Sequence, residues 1–323
     1  MSFWEHRSVL VTGCTGFLGG WLTDELVRRR ADVVGLVRDG VPLAPFFQSG
    51  LDHRISIVRG CVEDYHALTR ILSEYEIDTV FHLAAQAIVG VAFRNPMATF
   101  DTNIRGTWTA LEACRSYGRV SRVVVASSDK AYGDQDRLPY TEDHPLRGTH
   151  PYEVSKSCAD LIAITYHKTY GLPVAVTRCG NLFGPGDLNF SRIVPGTIRS
   201  ALRKERPIIR SDGSLVRDYV FVKDIVSAYL ILAESMEDPS IHGLAYNFGT
   251  GTPISVLDLV RTILRLAGSA TIDPIVLNEA KDEIKRQYVS SELASRVLGW
   301  APGASMEERL GETIHWYREY VFS

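Results

Sequence analysis

Through the first half of the chain, short apolar runs rich in valine, isoleucine and leucine alternate with longer stretches in which apolar residues recur every third or fourth position. The unbroken runs predict strands at 8–12, 32–37, 55–59, 79–83, 122–126 and 174–178, buried on both faces. Helical periodicity predicts helices at 21–30, 65–74, 102–117 and 151–170. This alternation predicts an α/β fold with a doubly wound parallel sheet covered on both sides. Beyond Asn181 the rhythm breaks into connections such as Phe183-Gly184-Pro185-Gly186-Asp187, so a smaller C-terminal α/β lobe is expected there. Arg217 to Asp224, followed by an apolar helix to Glu234, reads as a return to the sheet. The expected division is 1–181 with 217–248 for the sheet domain, and 182–216 with 249–323 for a substrate-binding lobe.

The first strand runs directly into Gly13-Cys14-Thr15-Gly16-Phe17-Leu18-Gly19 and then a helix. Strand, glycine-rich turn and helix in that order are the setting of a dinucleotide site, which makes the sheet Rossmann-type. Gly13, Gly16 and Gly19 divide three tasks: a tight turn, approach of backbone to a pyrophosphate, and close packing of helix on strand. Thr15, Phe17 and Leu18 complete that turn, and the phosphates meet amides at the positive end of the helix.

A second cluster carries chemistry. Tyr152 and Lys156 stand four apart on a predicted helix, hence on one face, so the ammonium is expected to favour the phenolate and make Tyr152 a base for a sugar or alcohol hydroxyl. The preceding strand ends in Ser127-Ser128-Asp129-Lys130, at the edge of a parallel sheet where such folds bind ligands. Ser128 can hydrogen-bond a reacting oxygen, and Asp129 and Lys130 supply two titratable groups of opposite character. Alternatively, Lys130 merely pairs with Asp129 or Tyr132. Arg192 is a further candidate for the nucleotide.

A net charge of −3 leaves no basic footprint for nucleic acid. The five cysteines, Cys14, Cys61, Cys114, Cys158 and Cys179, are odd in number and lack a C-x-x-C pair, so they read as reduced thiols rather than disulfides or a metal site. No apolar run approaches membrane-spanning length and residues 1–7 carry no signal-peptide pattern, so a cytoplasmic location is expected.

Phe3-Trp4, the 11–17 turn with Trp21-Leu22, Phe81-His82-Leu83-Ala84-Ala85-Gln86, Ser128-Asp129-Lys130 with Tyr132, Pro151-Tyr152 with Ser155-Lys156, and Gly180-Asn181 through Gly184 and Gly186-Asp187 together resemble the extended short-chain dehydrogenase/reductase family acting on nucleotide-activated sugars. Within it the likeness is greatest to the CDP-glucose 4,6-dehydratases, the Ser-Asp-Lys triplet being the discriminating feature. The resemblance implies oxidation at C4 by a nicotinamide cofactor, loss of water across C5 and C6, and return of hydride to C6. It places Leu83, Ala84 and Ala85 along the cofactor, Gln86, Asn181 and Arg217 at the substrate, Asp129 as the acid helping water leave, and Lys130 where many dehydratases carry a glutamate base. It leaves His82 structural. It also implies a homodimer built on helices 102–117 and 151–170, which carry Trp108, Ile162 and Ile164.

Departures from the pattern bear on the cofactor. Val37 ends the second strand where NAD-binding members carry an acid, and Arg38 follows, which favours NADP over NAD. Asp39 keeps NAD open. Cys61 replaces an aspartate near the adenine and Leu18 a lysine of the CDP-glucose enzymes, so the nucleotide base is open. Two other functions remain: a 4-epimerase, which has no use for Asp129 and Lys130, and a nucleotide-sensing protein on the same fold.

Overall fold

The computed structural model describes residues 3–40, 44–279 and 283–320. Its central sheet holds β1 (Ser8–Thr12), β2 (Asp32–Val37), β3 (Ser56–Arg59), β4 (Thr79–His82), β5 (Arg122–Ala126), β6 (Val174–Cys179) and β7 (Ala245–Phe248). All are parallel, in the order β7-β6-β5-β4-β1-β2-β3. The order reverses between β1 and β4, which opens a crevice at their C-terminal ends.

Strand periodicity explains why the runs are apolar throughout. Val9, Val11, Phe81, Val124 and Ala175 enter one core, beneath α1 (Phe17–Arg28) and a later helix, Val222–Ser235. Their neighbours Leu10, Val80, Val123, Val125 and Val176 enter the other, beneath α2 (Tyr65–Glu74) and α3 (Gly106–Tyr117). Successive residues point to opposite faces, and both faces are covered. The long helix α4 (Pro151–Tyr170) lies on the second face.

Several elements differ from expectation. A seventh strand, β7, lies in the return segment and pairs with β6. The first helix begins at Phe17 rather than residue 21, because the glycine turn itself forms the N-cap at Gly16. α3 begins at Gly106, after a short helix Pro96–Phe100 and a wide π-type turn Asp101–Arg105; a Cβ at Gly106 would lie 2.5 Å from Val62 Cγ2. Ala294, Leu298 and Trp300, expected in the lobe, pack in the first core instead, with the Trp300 ring 5.0 Å from Phe248 and its indole donating to the Asp224 carbonyl. On the outer faces of α3 and α4, Trp108 and Leu161 are exposed, whereas Ile162 and Ile164 are half-buried against the second core.

The lobe gathers helices Ile193–Leu202, Val256–Leu266 and Met306–Tyr320 around Ile198, Leu259, Ile263 and Leu310. Its strand Val216–Arg217 runs between Ile254–Ser255 and Arg286–Gln287.

A buried ion pair ties β6 to α4: Arg178 Nε and Nη2 donate to Asp160 Oδ2 and Oδ1 at 2.8 and 2.9 Å. Arg178 also donates to the Tyr132 hydroxyl, which donates to Asn247 on β7. Arg178→Met leaves the Asp160 carboxylate buried and alone, and is expected to cost about 3–5 kcal/mol. Denaturant unfolding monitored by circular dichroism checks this, and a loss below about 1 kcal/mol would show the pair to be dispensable.

Candidate active site

The crevice has a volume of about 1680 Å³, and residues from both the sheet and the lobe line it. Its floor begins at the glycine turn. Gly13 has φ +77°, and a Cβ there would lie 2.8 Å from the Ala84 nitrogen; a Cβ on Gly19 would fall 2.0 Å from the Gly13 carbonyl oxygen. Both glycines are therefore required by close backbone approach. Gly16, by contrast, meets only its own turn, with Gly13 O at 3.2 Å, and its outer side opens into the crevice. No side chain caps the first turn of α1, so its amides are free to meet an anion. This cradle fits a dinucleotide pyrophosphate. Thr15, Phe17, Leu18, Leu83, Ala84 and Ala85 line the same wall.

His82 stays out of the chemistry. Its ring nitrogens are satisfied by Thr12 and Thr107 at 3.0 and 3.1 Å, and burial pushes it down to about 3, so it is a neutral strut between β4 and α3.

At the mouth, Arg38 and Asp39 are both exposed and bonded to each other at 2.6 Å, beside Gly60 and Glu63. Val62 and Glu63 line the crevice on this side, whereas Cys61 is not among its lining residues.

The reacting end is built by the turn after β5 and the first turn of α4. Glu153 accepts from the Thr149 and His150 amides at 3.0 and 3.3 Å and fixes the start of that helix. Tyr152 and Lys156 consequently face the crevice, both buried. The Lys156 ammonium donates to the Ala126 carbonyl at 2.7 Å. Burial pushes Lys156 down to about 8 and the Tyr152 phenol up to about 12, opposed at the phenol by Ser128 and Arg192. Burial thus works against the phenolate that the spacing of Tyr152 and Lys156 predicts, disfavouring the charged form of both groups.

Ser128 Oγ donates to Asp129 Oδ1 at 3.1 Å and accepts from the Lys130 amide at 3.2 Å. Asp129 is buried, and its Oδ2 has no hydrogen-bond partner within the protein. Burial pushes the Asp129 carboxyl up and the Lys130 ammonium down, each toward its neutral form. Both side chains line the crevice, with Lys130 Nζ donating to Gln287 Oε1 at 3.1 Å.

Arg192 lines the crevice and pairs with Asp187 at 3.0 Å; Arg217 is buried, donates to the Val216 and Lys285 carbonyls and lies 3.5 Å from Glu283. Asn181 is there too. Gln86 is not brought in: its side-chain oxygen accepts from the Ile88 amide, and its backbone is held by Asn103 from the turn before α3. Asn103 also donates to Ser155 at 2.9 Å and so braces α4; from the lobe, Glu283 lines the crevice and the buried Gln287 reaches Lys130 from behind its wall. No motif marks these three; only the fold brings them together. Among the described residues no cluster of potential metal ligands occurs, and no helix is long and apolar enough to cross a membrane.

Residues 10–313 match the family described as GDP-mannose 4,6 dehydratase. A dTDP-glucose 4,6-dehydratase from Streptomyces griseus is 31% identical over 97% of this chain and 94% of its own length. A trifunctional UDP-glucose 4,6-dehydratase/UDP-4-keto-6-deoxy-D-glucose 3,5-epimerase/UDP-4-keto-L-rhamnose-reductase from Arabidopsis thaliana is 29% identical over 99% of this chain, which spans about half, 48%, of that relative. Among solved structures, a dTDP-glucose 4,6-dehydratase from Bacillus anthracis in complex with NAD superposes with a TM-score of 0.86 at 27% identity, over 98% of both chains. The UDP-glucose 4-epimerase of Thermotoga maritima with UDP-glucose gives 0.88 at 29% identity, over 97% of this chain and 99% of the other.

Proposed function

Because the chain belongs to the GDP-mannose 4,6 dehydratase family, we propose that it removes water across C5 and C6 of a nucleotide-diphosphate hexose, giving the 4-keto-6-deoxy sugar. The observation that carries this reading is the buried carboxyl of Asp129 next to the half-buried Lys130, both lining one crevice with Tyr152.

A bound nicotinamide supplies the store for the hydride taken from C4 and returned to C6. Tyr152 receives the C4 hydroxyl proton, and Ser128 holds that oxygen in place. To do so the phenol must first ionise, which the Ser128 hydroxyl and then the Arg192 cation favour. Once C4 is a ketone the C5 hydrogen is acidic; neutral Lys130 accepts it as a proton and returns it to C5 when hydride reaches C6. Asp129, kept protonated by burial, gives its proton to the C6 hydroxyl, which departs as water. A 4-epimerase has no use for this acid and base. Arg192, Arg217 and Asn181 hold the diphosphate, guanidinium groups suiting its oxygens.

For the cofactor, Arg38 at the crevice mouth favours the 2′-phosphate of NADP, with Asp39 orienting the guanidinium. Trp108 and Leu161 mark the face on which a second copy docks, and the free cysteines suit a cytoplasmic enzyme.

Purified protein supplied with NADP or NAD and with CDP-glucose, dTDP-glucose, UDP-glucose or GDP-mannose tests the reading. Alkali-induced absorbance of a 4-keto-6-deoxy product is expected with one nucleotide class, with tighter binding of NADP than NAD. A 4-epimer in the sugar NMR spectrum, with no deoxy product, would replace dehydration with epimerisation.

A further inference from the structure

Gln287 is fully buried and comes from a strand of the lobe, 157 residues beyond Lys130. Its amide bridges the acid and base turn: Nε2 donates to the Asp129 carbonyl and Oε1 accepts from Lys130 Nζ, both at 3.1 Å. The partners themselves fix this orientation, since a carbonyl can only accept and an ammonium can only donate. The strand that carries Gln287 pairs with Val216–Arg217, placing Gln287 opposite Arg217.

We infer that Gln287 is a positioning residue that holds the Lys130 amine toward the substrate while leaving it free of a fixed counter-charge. The role rests on the proposed dehydration, in which Lys130 takes the C5 proton. A carboxylate at this point would hold the lysine as an ammonium with no lone pair to offer. A neutral amide oxygen can accept from either ammonium or amine, so one hydrogen bond anchors the group through its whole proton cycle. The charges that act on Lys130 are Asp129 on its own turn, Glu153 from α4, and Arg217 and Glu283 from the lobe; the amide adds none.

Two variants test this. Gln287→Glu introduces an opposite charge at hydrogen-bond distance and is expected to raise the Lys130 pKa by about one to three pH units. Base catalysis needs the neutral amine, so the acid limb of the kcat profile moves to higher pH by the same amount. Gln287→Met removes the acceptor at similar volume and is expected to lower kcat about tenfold or more with KM nearly unchanged. The chain has few lysines, so the Lys130 resonance of labelled protein, assigned by its loss in Lys130→Met, reports the titration without turnover. If no sugar in the panel is dehydrated, the functional reading falls and this titration still decides the role of Gln287. A Lys130 pKa that does not move in folded Gln287→Glu overturns the inference. So does a Gln287→Met enzyme with wild-type kcat and pH profile, which would leave the amide as scaffold only.

Discussion

Asp129→Asn is expected to slow formation of the 4-keto-6-deoxy sugar by about 10²–10⁴-fold while leaving oxidation at C4 in place. The substitution keeps shape and deletes one function. Asp129 Oδ1 accepts from Ser128, a bond the amide oxygen can still accept, so the turn after β5 should survive. What disappears is a carboxyl whose protonated form burial favours and whose Oδ2, unpartnered within the protein, can present a proton to a leaving hydroxyl. Hydroxide is a poor leaving group, so elimination stops without an acid. Mass spectrometry of quenched reactions should show a 4-ketohexose that retains its C6 oxygen. Full dehydratase activity in Asp129→Asn would remove Asp129 from the mechanism.

Tyr152→Phe is expected to have the other large effect, a loss of about 10²–10⁴-fold at the first step, with no keto sugar of either kind. Phenylalanine retains the ring in a site where Tyr152 is only 9% exposed, so folding should be little affected. The hydroxyl it deletes is the acceptor for the C4 proton. The two variants therefore separate the reaction in time, one blocked before the ketone and one after it. If Tyr152→Phe still accumulated the ketone, proton removal at C4 would belong to another group, Lys156 being the next titratable side chain on that helix face.

Much of this was legible because it is local. The first strand, glycine turn and helix are contiguous, and the requirements at Gly13 and Gly19 are contacts within that same unit and its neighbour β4. Ser128, Asp129 and Lys130 share one turn, and Tyr152 and Lys156 share one helix face, so spacing alone brings them to the crevice. Contributions from distant segments left no such trace. Gln287 stands in a polar stretch whose meaning depends on a strand register with Arg217, and Asn103 works by reaching back to Gln86 and across to Ser155. Gln86 stands among residues that line the crevice, while its own side chain turns to the Ile88 amide, a contact that no spacing announces. Helical spacing puts Tyr152 and Lys156 on one face, but spacing says nothing of how much water surrounds them, and burial works against the charged form of each.

The weave of the chain sets a limit on engineering. After the lobe begins, Val222–Ser235, β7 and the 292–300 segment each return to the sheet, and each is locked there by aromatic or strand contacts. The lobe is thus not a cassette that one cut and one splice could exchange between homologues. A chimaera with altered sugar preference would need several coordinated junctions, or point changes along the crevice wall, and a truncation from the C-terminus past Trp300 would unpack the nucleotide half along with the lobe.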